Sequence, residues 1–188
     1  MKIARGLALL FTAFGQAVFS QNISVGLRGG VPLNDTLTVV QDRFKNIPKR
    51  YVFGPTIEVR LPANLGFVFD VLYQKLEYQQ LGTAAASRSG SQWEFPLMLR
   101  KRFGQSFARP FLGGGVSFNK ISGIGNPVEF VKSSTTGIVF SGGVEVKIPL
   151  IRITPEIRYG RRLDDNFKLQ NLLESDRNQF KVLVGVTF

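Results

Sequence analysis

Apolar and polar residues alternate almost one for one along this chain from about residue 22 to the end. In the stretch 65–74, Leu65, Phe67, Phe69, Val71 and Tyr73 fall on one face, and Gly66, Val68, Asp70, Leu72 and Gln74 on the other. A period of two is what a β-strand with two unlike faces produces. The same alternation predicts strands at Ile23–Val31, Tyr51–Leu61, Trp93–Arg102, around Leu112–Phe118 and at Gln179–Phe188. It also predicts two more within 142–162, joined near Pro149–Leu150. That makes about eight strands of roughly nine to eleven residues. No helical period competes over more than a dozen residues, which speaks against a βαβ fold.

The predicted connections alternate in length. Those near 62–64, 104–109 and 149–150 are short, whereas 33–50, 79–91, 119–135 and 161–177 are long and rich in turn formers. The stretch FKLQNLLES (167–175) is the one place where a helical turn is expected.

Alternation alone leaves the orientation of the faces open. In GGVEVKIPLIRITPEIRYGRR (142–162), Glu145, Lys147, Arg152, Glu156 and Arg158 interleave with valines and isoleucines. A soluble carrier barrel of the lipocalin sort would turn the apolar face inward, and a transmembrane barrel inverts that assignment. Three features favour inversion. Short turns at one end and long loops at the other suit a membrane barrel. The apolar faces persist for the 9–11 residues that a tilted strand needs to cross hydrocarbon. The polar face interleaves Gly26, Gly54, Gly66, Gly113, Gly143 and Gly185 with long charged side chains, which fits a narrow interior. Phe, Trp, Tyr and Ile from the other face would overfill it.

Composition narrows the function classes. The 188 residues are 44% hydrophobic and 20% charged, enough for one domain with a core. There is no cysteine, so no disulfide framework or thiolate metal site. There is no histidine, which removes the usual zinc sites and Ser-His or His-based acid–base chemistry. The formal charge of +11 is scattered and forms no stripe, so nucleic acid is not an expected partner.

The first residues read as an export signal: Lys2 and Arg5, an apolar run from Gly6 to Gly15, then small residues up to Ser20. Cleavage falls between Ala17 and Ser20, giving a signal peptide at 1–20 and a barrel domain at 21–188. Loss of Lys2 and Arg5, with no acid, takes the charge from +11 to +9.

The last stretch, NQFKVLVGVTF, sets Phe180, Val182, Val184, Val186 and the terminal Phe188 on one face. It resembles the closing strand of bacterial outer-membrane β-barrels, which ends in an aromatic residue. With the export signal and the strand pattern, the chain resembles the small eight-stranded OmpA/OmpX-like barrel family. The resemblance is one of architecture over the whole mature chain, without the peptidoglycan-binding domain that follows the barrel in full-length OmpA-type proteins.

That resemblance implies an all-β, eight-stranded antiparallel up-and-down transmembrane barrel in the cell outer membrane. Phe188 would be the signal read by the barrel-assembly machinery, and outer-membrane lipid the surrounding partner of a monomer. Arg28, Glu58, Arg60, Asp70, Glu94, Arg100, Glu145, Lys147, Arg152, Glu156 and Arg158 would form a structural charge network in the lumen, together with Arg102 and Lys181. Barrel enzymes of that membrane that modify lipid or cleave peptides use a histidine, which is missing here. No catalytic, cofactor or metal site is therefore expected. The role would lie in the long loops, including the basic DRFKNIPKR (42–50), towards a surface ligand the sequence does not name. A narrow transport barrel for ions or small apolar solutes, and an exported lipocalin-like carrier, are the alternatives.

Overall fold

The computed structural model describes residues 23–34, 37–39, 44–46, 51–80, 87–122, 134–163, 168–169, 173–175 and 177–188. The predicted signal peptide lies outside them, as does most of the basic 42–50 segment.

The strands in chain order are β1 (Ile23–Pro32), β2 (Leu37–Val39), β3 (Phe44–Asn46), β4 (Val52–Leu61), β5 (Leu65–Asp70), β6 (Leu72–Gln80) and β7 (Ser87–Arg102). They continue as β8 (Ala108–Ser122), β9 (Ser134–Ile148), β10 (Ile151–Arg162), β11 (Lys168–Leu169), β12 (Leu173–Ser175) and β13 (Asn178–Thr187). With the short β2, β3, β11 and β12 set aside, successive staves pair antiparallel, and β1 pairs both β13 and β4, so the sheet closes on itself. Taking β5 and β6 as one stave, the barrel has eight: β1, β4, β5–β6, β7, β8, β9, β10 and β13. Closure leaves none of the eight staves as an edge strand of the barrel wall.

The break between β5 and β6 has a chemical cause. Val71 donates its N–H to the carbonyl of Pro55 at 3.0 Å, but Pro55 has no N–H to return. On the other side, Pro96 of β7 also lacks a donor. The ladder lapses at Asp70–Val71 and resumes in the same register, with Phe53 opposite Tyr73.

The burial pattern gives the faces their direction. Along β4, Val52, Gly54, Thr56 and Glu58 are buried, and Phe53, Pro55 and Ile57 are exposed. On every stave most of the large apolar side chains point out of the barrel, among them Leu27 (67% exposed), Phe67, Leu112, Phe140 and Phe180. The interior holds charged residues with a few apolar ones packed between them: Val52, Leu72 and Leu183 form one small cluster, Val68, Met98 and Val139 another. A lipocalin-like carrier needs the reverse polarity.

Several outward aromatics gather at one height, towards the long-connection end. Phe53 stacks edge-on with Tyr73 at 5.7 Å and Tyr73 with Trp93 at 5.0 Å, while Tyr159 packs on Phe180 at 4.9 Å. Phe140 lies opposite Tyr159 in the ladder, extending this band.

Two expectations are corrected here. The segments 79–91 and 119–135 were expected to be loops throughout, yet β7 begins at Ser87, β8 runs to Ser122 and β9 starts at Ser134. These staves reach 15–16 residues, longer than expected. Their tips are mostly polar, so the apolar alternation fades there, while the ladder pairing continues. The helical turn expected in 167–175 is instead two short strands, β11 and β12, with Leu173–Ser175 pairing Leu37–Val39. A single helical turn is costly to nucleate, and a neighbouring extended segment offers hydrogen bonds at once.

Gly54 shows how tightly the wall is drawn. A Cβ there would stand 1.7 Å from the Val71 carbonyl oxygen, a backbone atom that cannot step aside, whereas at Gly160 the nearest atom would be 4.0 Å away. Gly54→Ala is expected to lower the urea midpoint of the refolded barrel markedly and Gly160→Ala to leave it near wild type. Similar midpoints for the two would refute this account of the wall.

Candidate functional site: the charged lumen

Inward residues on seven staves meet in a network of ion pairs that no single strand could make. Its centre is Glu156 of β10. One oxygen accepts from Arg28 at 3.3 Å and from Arg158 at 2.5 Å; the other accepts from Arg100 at 2.7 Å. Asp70 accepts from Arg28 and Arg158, each at 2.8 Å. All five side chains are almost fully buried. Arg100 also lies 4.0 Å from the ring centre of Phe111, which covers its flat face.

Towards the short-turn end, Glu58 and Glu145 take over. Arg102 donates to Glu145 at 2.8 Å and also contacts Glu58 closely, bridging the two. Arg60 reaches Glu58 at 3.4 Å, and Arg109 donates to Glu145 directly across the β8–β9 ladder. Towards the long-connection end, Glu94 pairs with Lys181 and lies 3.5 Å from the Ser117 hydroxyl. Beyond that pair is a small cleft lined by Glu94, Ser117, Asn119, Arg162 and Gln179 among others.

The packing explains how arginines fit so narrow a tube. Arg28 stands between Gly54 of β4 and Gly185 of β13, and Arg100 between Gly66 of β5 and Gly113 of β8. At Gly185 a Cβ would already touch the Arg28 guanidinium at 3.3 Å. Each long cation lies across strands that present only hydrogen on the lumen side. Burying these charges is costly in itself, and mutual pairing offsets that cost.

Of the residues expected in the lumen, Arg28, Glu58, Asp70, Glu94, Arg100, Glu145, Glu156 and Arg158 are buried there, along with Arg102 and Lys181. Arg60 is half-buried at the short-turn mouth. Two differ. Lys147 is exposed beside the Pro149–Leu150 turn and joins none of the described ion pairs. Arg152 is half-buried and donates to the Ser24 hydroxyl at 2.8 Å, without a carboxylate partner. Both sit within a few residues of a strand end, where the mouth opens to water and an inward direction no longer means burial.

Arg109 and Arg162 belong to the lumen and were not among the expected residues. Arg109 had been read as part of a turn. Counting the alternation back from Leu112 through Phe111 and Pro110 would have turned it inward. Phe188 is exposed on the outer face, its N–H bonded to the Val25 carbonyl at 2.9 Å.

The chain matches no protein-family model and no curated protein sequence. Solved structures do resemble it. The outer membrane protein OprG from Pseudomonas aeruginosa aligns over 88% of this chain and 94% of its own, at 13% identity and a TM-score of 0.55. Neisserial surface protein A covers 89% and 96%, at 15% identity and 0.56. The N-terminal β-barrel domain of Pseudomonas aeruginosa OprF covers 89% and 97%, at 13% identity and 0.50. At such identities the likeness is one of fold: a closed, eight-stranded, all-antiparallel β-barrel of the kind found in outer-membrane proteins.

Proposed function

We propose that this chain is an integral β-barrel protein of the bacterial outer membrane, with a structural lumen and a surface-interaction role at its long-connection end. The observation that carries this reading is the inverted polarity. Charges fill the interior, and Val, Leu, Ile and Phe side chains stand exposed on the outside of every stave. In water such a surface is an aggregation liability; in lipid it is the required one.

Dimensions and charge placement support it. From Ile151 to the aromatic band at Tyr159 the chain runs about 26 Å, or about 20 Å along the normal at the usual tilt, close to the height of an outer-membrane apolar belt. The acidic residues with described side chains on the barrel strands, Glu58, Asp70, Glu94, Glu145 and Glu156, all turn inward. Outward charges such as Lys101, Lys120 and Arg161 are basic and sit near the two rims, where lipid phosphates lie. Phe188 on the outer face is available to assembly machinery during insertion.

A filled lumen argues for a closed barrel. Cell fractionation with heat-modifiable gel migration tests the location: a detergent-dependent membrane protein with a folded, faster band is expected, and recovery from soluble periplasm would overturn the reading. Planar-bilayer recording separates the transport alternative. The closed barrel gives no stable single-channel steps, and discrete steps would favour the narrow transporter.

A further inference from the structure

At the short-turn mouth the charge network is unbalanced. Glu58 and Glu145 are the carboxylates there, facing Arg60, Arg102 and Arg109, with Arg100 shared between Glu58 and Glu156 deeper in. Arg102 is fully engaged: its Nε and Nη2 go to the two carboxylates, and its Nη1 lies 3.4 Å from the Leu65 carbonyl. Arg60 and Arg109 are not. Nη2 of Arg60 is buried without a hydrogen-bond acceptor, 4.0 Å from Glu145, and Nε of Arg109 also has none. Both guanidinium groups converge on Glu145, so they lie near one another. Their side chains remain 25% and 18% exposed, reachable from the mouth. Arg152, which donates to the Ser24 hydroxyl, adds a third cation at the same end.

We propose that Arg60 and Arg109, aided by the field of Arg152, bind one phosphate-class oxyanion at the short-turn mouth of the lumen. Guanidinium forks match such an anion's oxygens in geometry and in charge. An anion against the exposed parts of these two side chains offsets positive charge that Glu58 and Glu145 leave uncompensated. A free oxyanion and a lipid headgroup share this chemistry. The inference rests on the closed barrel and on the mouth's side chains, not on the surface role proposed above.

Calorimetric titration of the refolded barrel in phosphatidylcholine vesicles, with inorganic phosphate at constant ionic strength, tests it. One saturable site is expected. The double variant Arg60→Gln/Arg109→Gln should weaken it at least tenfold while keeping the heat-modifiable band. Glu145→Gln, which removes a competing negative charge, should tighten it; if that variant does not close, the arginine pair alone decides. Repeating the titration in phosphatidylglycerol vesicles identifies the source: a raised apparent Kd marks a lipid headgroup, an unchanged one a free oxyanion. Absence of saturable binding, an affinity indifferent to the arginine pair, or weakening by Glu145→Gln in a closed barrel would each overturn the proposal.

Discussion

Glu156→Ala should lower the unfolding free energy of the refolded barrel by about 3–5 kcal/mol, the usual consequence of removing one partner from a buried charge cluster. Glu156 holds three guanidinium groups at once. Without it, Arg28 and Arg158 must share Asp70, and Arg100 keeps only Glu58 at 3.6 Å. Three buried cations would then stand close together with too few acceptors and little access to solvent. For m-values of about 1–3 kcal/mol/M the urea midpoint should fall by roughly 1 M or more. Arg161→Ala is the matched control: that side chain is exposed at the rim, on the outward face, and its loss should leave the midpoint unchanged. Equal midpoints for the two variants would sink the idea that the lumen network stabilises the barrel.

How much of this was legible in the sequence depends on the distance over which each feature is encoded. Alternation is local, so Phe67 and Asp70, three residues apart, reveal opposite faces without knowledge of any partner. Which face looks inward is not local: a lipocalin-like sheet and a membrane barrel share the period, and only loop lengths, glycines and chain ends distinguished them. The interior glycines were visible as a set. That Gly54 and Gly185 flank Arg28, and Gly66 and Gly113 flank Arg100, depends on cross-strand register, which one strand's sequence does not contain. The same holds for the pairing of Glu156 with Arg28, 128 residues away. At the mouths the period-two rule gives direction but not burial. Lys147 and Arg152 were therefore expected in a network they do not join, and Arg109 was overlooked where strand and turn meet.

The glycine–arginine arrangement also links the fold to its chemistry. A wall drawn tight enough to bring the Val71 carbonyl over Gly54 leaves little room for water, so charges inside must satisfy one another. The central cluster and the short-turn mouth each set three guanidinium groups against two carboxylates, but only at the mouth do two of those cations, Arg60 and Arg109, reach solvent. The same physics therefore yields a structural plug at mid-barrel and a candidate anion site where solvent begins.

The membrane reading itself makes a sharper demand on the outer face. Ile57 lies midway between Phe53 of the aromatic band and Leu61 at the short turn, and its side chain is 45% exposed. Ile57→Arg should cost about 2–4 kcal/mol in a bilayer, because a cation at that depth must leave water or deform the lipid around it. Ser134→Arg, at the exposed start of β9 beyond the aromatic band, should cost little, since the penalty fades towards the interface. Urea unfolding of both variants in phosphatidylcholine vesicles measures the difference. On a water-facing surface neither arginine would carry a penalty. A cost at Ile57 that vanishes at Ser134 therefore reports lipid contact directly, and equal stability of the two would return the apolar face to some other, non-membrane partner.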